Sequence, residues 1–254
     1  MIYGVFGKPR SGKSTFLAKY VSQALRARQV AQLPVIGRFL RRSKWYYDVI
    51  FSTAPMRGTV LIKPYDVGAF EPPLGMRSLY VIHEAGVSFN NRNFKSIPDH
   101  CTDFFAMHGH YNCDIIYDSQ TVDIDKKLRN RTQNFYVVSK CPIMRNRSKV
   151  VKVKYWIGVN KEAQKLDECY TEPQGIIEMI VAILTRQRYT FNRRGYYWLF
   201  DSFSRDLTFR SAAPAIDVNN PYPRWRMVIY LIRQGIKAAA FAALLVYLLA
   251  RVFG

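Results

Sequence analysis

The amino-terminal stretch MIYGVFGKPRSGKSTFLAKY, residues 1–20, decides the fold. It opens with an apolar run from Ile2 to Phe6, which predicts a buried strand. Residues 7–14 then follow the spacing G-x-x-x-x-G-K-[ST], and a helix-like stretch runs from Thr15 to Arg26. Strand, glycine-rich loop and helix in this order predict a phosphate-binding loop.

The predicted loop carries the groups that nucleotide phosphates require. Its glycines permit backbone angles that turn successive N–H groups toward an anion at the start of the next helix. Lys13 would bring a point charge to the β- and γ-phosphates, and the Ser14 hydroxyl is the predicted Mg²⁺ ligand. A glycine-rich turn without a ligand is the alternative. The predicted cofactors are ATP and Mg²⁺, and the predicted nucleotide-binding residues are Gly7, Lys8, Pro9, Arg10, Ser11, Gly12, Lys13, Ser14 and Thr15.

The composition points to an anionic partner. The chain has 254 residues and a formal net charge of +20, from 38 Lys and Arg against 18 Asp and Glu. Nucleic acid and the cytoplasmic leaflet of a membrane both satisfy such a surplus. The four cysteines are widely spaced and no signal peptide precedes the first strand, so we expect reduced thiols in a cytosolic domain.

Several short β-rich runs follow the first helix. They are continuously apolar rather than alternating, which predicts strands covered on both faces in a mostly parallel α/β sheet. We also expect a helix from Pro98 onward and another over 174–188. The predicted strands are 46–52, 59–64, 78–84, 113–119, 135–140 and 149–158, the last two forming a hairpin.

A P-loop hydrolase also needs acidic groups at the end of a neighbouring strand. The run SLYVIHE, residues 78–84, ends in His83 and Glu84. Glu84 is the predicted catalytic base, with a plain strand cap as the alternative. His83 stands where an aspartate is expected for Mg²⁺, and a neutral imidazole brings no charge. The metal is then held mainly by Ser14 and the phosphates, or by another acid such as Asp48 or Asp118.

Two further residues are candidates for catalysis. Gln120 follows the strand 113–119 and is placed to contact the γ-phosphate or the attacking water. Arg129, with Arg131 as the alternative, would stabilise transition-state charge at the nucleotide of a neighbouring subunit. An exposed glutamine and solvent-facing arginines are the competing interpretations.

The carboxyl end is strongly apolar. No charged or strongly polar residue lies between Lys237 and Arg251, and this run rises about 20 Å as a helix against a bilayer core of about 30 Å. Snorkelling of Lys237 and Arg251, and an apolar pattern that continues upstream, would complete a span. Four cations precede it, Arg224, Arg226, Arg233 and Lys237, whereas Arg251 follows it, so the N-terminal part is expected in the cytoplasm. A buried amphipathic helix of a soluble oligomer is the alternative.

These patterns predict three parts of the chain. Residues 1–190 form a cytoplasmic P-loop ATPase domain, and 191–225 form a basic, aromatic linker or docking segment. Residues 226–254 form a juxtamembrane and transmembrane helix whose carboxyl end lies at the periplasmic side.

Three motifs together resemble a known family. GKPRSGKST at 7–15, VIHEAG at 81–86 and HGHYNCDIIYDSQ at 108–120, followed by one apolar span after a basic approach, are similar to the zonula occludens toxin-like proteins. These are the inner-membrane assembly ATPases of filamentous bacteriophages. The resemblance implies a cytoplasmic RecA-like domain, a single span in the host inner membrane and assembly into a homo-oligomeric ring. It also implies coat proteins, a viral single-stranded DNA–protein complex and an outer-membrane secretin system as partners.

The chain departs from the family pattern twice. His83 replaces the usual aspartate, which bears on hydrolysis and metal affinity, and only three residues follow Arg251 where the family commonly has a periplasmic domain. The leading prediction is a membrane-anchored ATPase that drives virion assembly and extrusion. A DNA-translocating ATPase of the conjugation or segregation type is one alternative, and a non-hydrolysing nucleotide-dependent membrane scaffold is the other.

Overall fold

The computed structural model describes residues 1–33, 43–69, 75–121, 123–141, 144, 146–154, 188–200, 222–223, 225–236, 239 and 243. Its helices are α1 (Lys13–Ala31), α2 (Ala85–Ser88), α3 (Asp99–Met107), α4 (Lys126–Arg131) and α5 (225–236). Its strands are β1 (Ile2–Phe6), β2 (Val49–Ser52), β3 (Val60–Leu61), β4 (Ser78–Ile82), β5 (Cys113–Ser119), β6 (Thr132–Lys140), β7 (Arg147–Lys154) and β8 (Arg188–Asn192).

The eight strands form one sheet in the order β3-β2-β4-β5-β1-β6-β7-β8. Neighbours from β3 to β6 pair in parallel, whereas β6, β7 and β8 pair antiparallel. The predicted mostly parallel sheet and the β6–β7 hairpin are therefore confirmed. Because β1, β5 and β4 are neighbours, their carboxyl ends meet at one edge, where ligands bind in open α/β sheets.

Alternating side chains of each strand fill two cores. Val5 and Ile116 pack toward α1, whereas Phe6 and Tyr117 pack toward α2, α3 and α4 on the other face. Helices on both faces explain why the strands read as continuous apolar runs. With a P-loop after its central strand β1, this is an α/β fold of the P-loop NTPase type.

Several predicted strands end earlier than their apolar runs. The run 78–84 leaves the sheet after Ile82 because side chains capture the next two amides: Thr53 Oγ1 accepts from His83 N at 2.8 Å, and Asp118 Oδ1 accepts from Glu84 N at 2.9 Å. The run 59–64 keeps only two strand residues, because Pro64 opens a 3₁₀ turn, Pro64–Asp66.

The carboxyl part of the domain differs most from expectation. Arg188, predicted as the end of a helix over 174–188, begins β8, and residues 174–187 lie outside the described residues. The predicted division between 190 and 191 falls inside β8, so the sheet continues into the segment predicted as a linker. Phe191 and Leu199 of that segment are buried against α1 and its neighbours.

Helix α5 is attached to the domain at its first turn. Arg226 Nη1 donates to Gly195 O at 2.7 Å, and its guanidinium lies 5.2 Å from the ring centroid of Trp198. Over the described residues, no helix has both the length and the apolar character needed to cross a membrane. The predicted span between Lys237 and Arg251 lies outside them except for residues 239 and 243.

Candidate nucleotide-binding site

The loop between β1 and α1 depends on two glycines. Gly12 has φ 102°, a left-handed conformation, and a Cβ there would lie 2.5 Å from Ser148 Oγ and 2.9 Å from Arg193 Cδ. A Cβ on Gly7 would collide with the Val138 carbonyl oxygen and approach Ser11 Oγ to 2.6 Å. Both positions therefore require glycine because other parts of the chain press on the loop.

Strand β7 holds the loop from the side. Ser148 Oγ donates a buried hydrogen bond to Ser11 O at 2.6 Å, across 137 residues of sequence. Sequence reasoning missed this contact because a serine in a basic strand carries no signal of its own. The support fixes the loop backbone, whose N–H groups would face the phosphates, before any ligand arrives.

Lys13 lies inside the cradle that the loop forms. Its Nζ donates to Gly7 O at 2.9 Å and to Lys8 O at 3.3 Å. Burial lowers the pKa of Lys13, and the negative charges of Asp118 and Glu84 oppose that shift. The cation is thus held by the loop's own carbonyls, at the position where phosphate oxygens would take their place.

Asp118 is the buried acid of the site. It lies next to the last residue of β5, opposite Val5 of β1, and is fully buried. Its Oδ1 accepts from Glu84 N at 2.9 Å and pairs with His83 Nδ1 at 2.8 Å. Its buried Oδ2 has no hydrogen-bond partner among the described residues, and neither does Ser11 Oγ in the loop. Two orphaned oxygens beside Lys13 indicate a site built for a polar ligand.

His83 supports this acid. Burial lowers the pKa of His83, but the charge and hydrogen bond of Asp118 act in the opposite direction and leave the pKa raised. Its ring also packs edge-to-face against Phe200, with centroids 5.8 Å apart. An aspartate at position 83 would face the Asp118 carboxylate. Two carboxylates this close disfavour each other's ionisation, because like charges repel. The acidic side chain next to this position is therefore Asp118, near the end of β5.

The oxygen atoms available at the phosphate-binding loop fit a Mg²⁺ ion. A hard cation prefers oxygen ligands, and P-loop sites take most of them from phosphates and water. The Ser14 hydroxyl and the Asp118 carboxylate are the protein oxygens suited to it. Among the described residues there is no group of three or more His, Cys, Asp or Glu that would hold a metal without a nucleotide.

Asp48, the other substitute acid considered from the sequence, is not part of this site. It precedes β2, at the opposite edge of the sheet, where its carboxylate accepts from Arg77 N at 2.8 Å and from Tyr46 Oη at 3.0 Å. Strand direction explains the difference, because Asp48 stands before its strand whereas Asp118 stands near the end of its own.

Glu84 has the exposure expected of a base that acts on water. It adopts a left-handed conformation, φ 50° and ψ 49°, immediately before α2, and its side chain is exposed. Gly86 lets this turn approach β5, since a Cβ there would lie 2.5 Å from Ser119 Oγ. Glu84 is close enough to Lys13 to influence its pKa. The structure therefore brings Lys13, Glu84 and Asp118 together.

The other predicted catalytic residues lie outside this group. Gln120 follows β5 with an exposed side chain, and Arg129 lies on α4, on the sheet face opposite α1. Arg129 therefore does not enter the site of its own chain. The predicted contact of Gln120 with the attacking water, and of Arg129 with a neighbouring subunit's nucleotide, stay predictions.

The sequence profile of the family described as Zonular occludens toxin (Zot) matches residues 1–155, more than half of the chain. The chain belongs to the Zot family. The match contains the phosphate-binding loop, Glu84 and Asp118 of this Zot-family chain, and it ends just after β7. A comparison with curated proteins found no match.

Three solved structures similar to the Zot-family chain are distant from it in sequence. The N-terminal domain of zonular occludens toxin from Neisseria meningitidis is 14% identical, covering 79% of this chain and 98% of that one, with a TM-score of 0.46. The genome packaging NTPase B204 from Sulfolobus turreted icosahedral virus 2, in complex with ATP-gammaS, is 11% identical over 60% and 92%, with a TM-score of 0.38. The flagellar accessory protein FlaH from Methanocaldococcus jannaschii is 11% identical over 61% and 78%, with a TM-score of 0.37.

Proposed function

We propose that this Zot-family chain is a Mg²⁺-dependent ATPase, anchored in the host inner membrane, that drives assembly and extrusion of filamentous phage virions. The observation that carries the ATPase part is the convergence of Lys13, Glu84 and Asp118 at the phosphate-binding loop. A cation for phosphate, an exposed carboxylate for water and a buried carboxylate for metal are the three charges that phosphoryl transfer to water requires.

Each residue has a distinct task in this mechanism. The loop N–H groups and Lys13 bind the β- and γ-phosphates, and the amine then exchanges its bonds to Gly7 O and Lys8 O for phosphate oxygens. Ser14 and Asp118 would hold a Mg²⁺ ion, which would supply charge neutralisation at the phosphates. Glu84 orients the attacking water and accepts its proton. His83 acts through Asp118, whose carboxylate it holds in place by the contact at Nδ1.

The departure at His83 is therefore compatible with hydrolysis. An imidazole at the end of β4 brings no negative charge, but Asp118 brings one from the adjacent strand at 2.8 Å. This arrangement weakens the case for a non-hydrolysing scaffold. That case rested on the replacement of the expected acidic metal ligand by His83.

Helix α5 supports the membrane part of the proposal. Its large apolar side chains that stay exposed recur at helical spacing, so they form one stripe. Arg226 and Arg233 lie in the same helix, as expected of a segment at lipid headgroups. We propose that α5 lies at the membrane surface and leads into the apolar run before Arg251. The stripe consists of Trp225, Val228, Ile229, Ile232 and Ile236, exposed by 60%, 50%, 42%, 56% and 63%.

The partners are likewise proposed. A net charge of +20 suits both anionic lipids and a viral DNA–protein complex. A homo-oligomeric ring would let Arg129 of one copy approach the nucleotide of the next, which its place on α4 prevents within one chain. Coat proteins and an outer-membrane secretin system complete the proposed export apparatus, with the N-terminal domain on the cytoplasmic side.

Phosphate release by the full chain in detergent micelles tests the ATPase. We expect Lys13→Ala to reduce turnover by at least about 100-fold, because a charge that stabilises the transferring phosphoryl group is lost. Lys126→Ala removes an exposed lysine from α4 and is the matched control. Both variants should still resist extraction by alkaline carbonate, since neither touches α5.

The outcomes of this assay distinguish the proposed ATPase from the two alternative functions. Turnover unchanged in Lys13→Ala would overturn the assignment of the loop. Hydrolysis stimulated by duplex DNA would favour the translocating ATPase, and tight ATP binding without turnover in the unaltered chain would favour the scaffold.

A further inference from the structure

A second cleft lies on the α1 face of the sheet, away from the phosphate-binding loop. Its volume is about 570 Å³, within the range of sites that bind small ligands. Helix α1, the segment before β2 and strands β6, β7 and β8 form its walls. Its aromatic and cationic lining includes Lys19, Tyr20, Trp45, Tyr136, Arg188 and Tyr189.

The aromatic walls of the cleft are held in place by packing. The rings of Tyr20 and Trp45 meet edge-to-face with centroids 4.8 Å apart, and Phe16 and Tyr136 lie 5.0 Å apart. Tyr20 and Tyr136 are buried in the core beneath, whereas Trp45 is only half-buried. Rigid aromatic groups at the border of core and solvent are the platforms on which nucleobases stack.

Two cations of the cleft have few polar partners. Lys19 Nζ lies 4.3 Å from the ring centroid of Tyr189 and 5.2 Å from that of Phe191, and burial lowers its pKa to about 8. Arg188 Nη2 is buried and has no hydrogen-bond partner in the part of the chain that the structure describes. None of the described lining residues is acidic. Lys19 and Arg188 therefore give the cleft two positive charges that no described lining residue neutralises.

We propose that this cleft binds a nucleobase with its phosphate, presented by a single-stranded nucleic acid. The aromatic walls suit the base, and Lys19 with Arg188 suits the phosphate. A free mononucleotide offers the same chemistry, but half-buried walls and a chain of net charge +20 favour a strand that continues past the cleft. The proposal is independent of ATP hydrolysis, because no residue of the phosphate-binding loop lines the cleft.

Fluorescence anisotropy of a labelled oligothymidine with the full chain in detergent micelles tests the site. We expect Lys19→Gln and Arg188→Gln each to weaken binding at least about fivefold and to reduce the magnitude of the salt slope by about 1. Lys126→Gln, the same loss of charge on α4, is the control and should change affinity less than twofold, roughly. Equal effects from all three changes would show that binding is diffuse and would overturn the proposal.

A second pair of variants tests stacking. Tyr189→Leu should weaken binding by about 5- to 100-fold, whereas Tyr189→Phe, which keeps the ring, should bind like the unaltered chain. Equal affinities of the two variants would overturn the role of the aromatic wall. The Phe variant guards against misfolding as the cause of a loss.

Two further measurements identify the source of the ligand and test whether binding in the cleft is independent of the phosphate-binding loop. Thymidine monophosphate should displace the oligonucleotide only at concentrations far above those of an unlabelled oligonucleotide, and equal potency would overturn the assignment to a strand. Lys13→Ala should leave oligonucleotide affinity unchanged, so a failed ATPase assignment would not be mistaken for failure of this site. A large loss in Lys13→Ala would place strand binding at the phosphate loop and refute the cleft.

Discussion

Replacing Asp118 with asparagine should separate metal retention from phosphate binding. The amide oxygen can still accept from His83 Nδ1 and Glu84 N, now 2.8 and 2.9 Å from Oδ1, so both hydrogen bonds persist without charge assistance. That loss is about 1 kcal/mol per bond, or about 2 kcal/mol for the two. Removing a fully buried carboxylate whose Oδ2 has no partner among the described residues offsets part of it. We therefore expect a fold that survives, destabilised by less than about 2 kcal/mol.

Metal retention should change far more than stability. Losing an acid that positions a metal or its water shell typically costs about 10- to 100-fold in affinity, so the Mg²⁺ concentration for half-maximal hydrolysis should rise by that factor. Electron paramagnetic resonance of Mn²⁺ with a non-hydrolysable ATP analogue would measure the same loss without turnover. ATP binding in the absence of metal should change little, since Lys13 and the loop are intact.

Asp48→Asn is the matched control for this experiment. This substitution also removes a carboxylate that accepts two hydrogen bonds, from Arg77 N and Tyr46 Oη, but at the opposite edge of the sheet. The Mg²⁺ concentration for half-maximal hydrolysis should not change in this variant. An unchanged requirement in Asp118→Asn, or an equal shift in both variants, would refute the reasoning.

Three other predictions follow from the site and the carboxyl end. Glu84→Gln should bind ATP normally and lose about 10²- to 10⁴-fold in turnover, measured by phosphate release, because the water loses its base. The pKa of His83 is raised in the folded protein, so its pair with Asp118 stabilises fully below the unfolded value of about 6.5, and this contribution fades as the pH rises through the raised value. His83→Gln should therefore lower the melting temperature more at about pH 6 than at about pH 9, and the opposite order would count against the pair. A cytoplasm-dependent fluorescent reporter before Met1 should be bright and a periplasm-dependent reporter after Gly254 active, as the charge bias around the span predicts; the reverse pattern would exclude this topology.

Local patterns predicted the parts of the fold that depend on neighbouring residues. The spacing of residues 7–14 identified the loop, and the apolar run 113–119 matched β5 in full, because each depends on its own backbone chemistry. Glu84 likewise follows an apolar run, as the sequence indicated, and its role as the catalytic base stays a prediction. These features need no knowledge of which strands are neighbours.

The rest of the site depends on contacts between distant parts of the chain. Asp118 could be named only as one of two acids, because the sequence does not reveal that β5 lies between β4 and β1. The support of the loop by Ser148 and Val138 comes from strands more than 120 residues away. Arg188 was assigned to a helix because the apolar pattern before it has helical periodicity, whereas pairing with β7 places it in a strand.

The short turn Arg193–Tyr196 contacts both the phosphate-binding loop and helix α5. Arg193 lies against Gly12 of the loop, and Gly195 O accepts the hydrogen bond from Arg226 at the start of α5. Helix α5 is therefore connected to the nucleotide site through three consecutive residues, in addition to its contact with α1 through Arg26 and the ring of Tyr230. Because the turn contacts both parts, we expect the turnover rate of the site to depend on the position of α5.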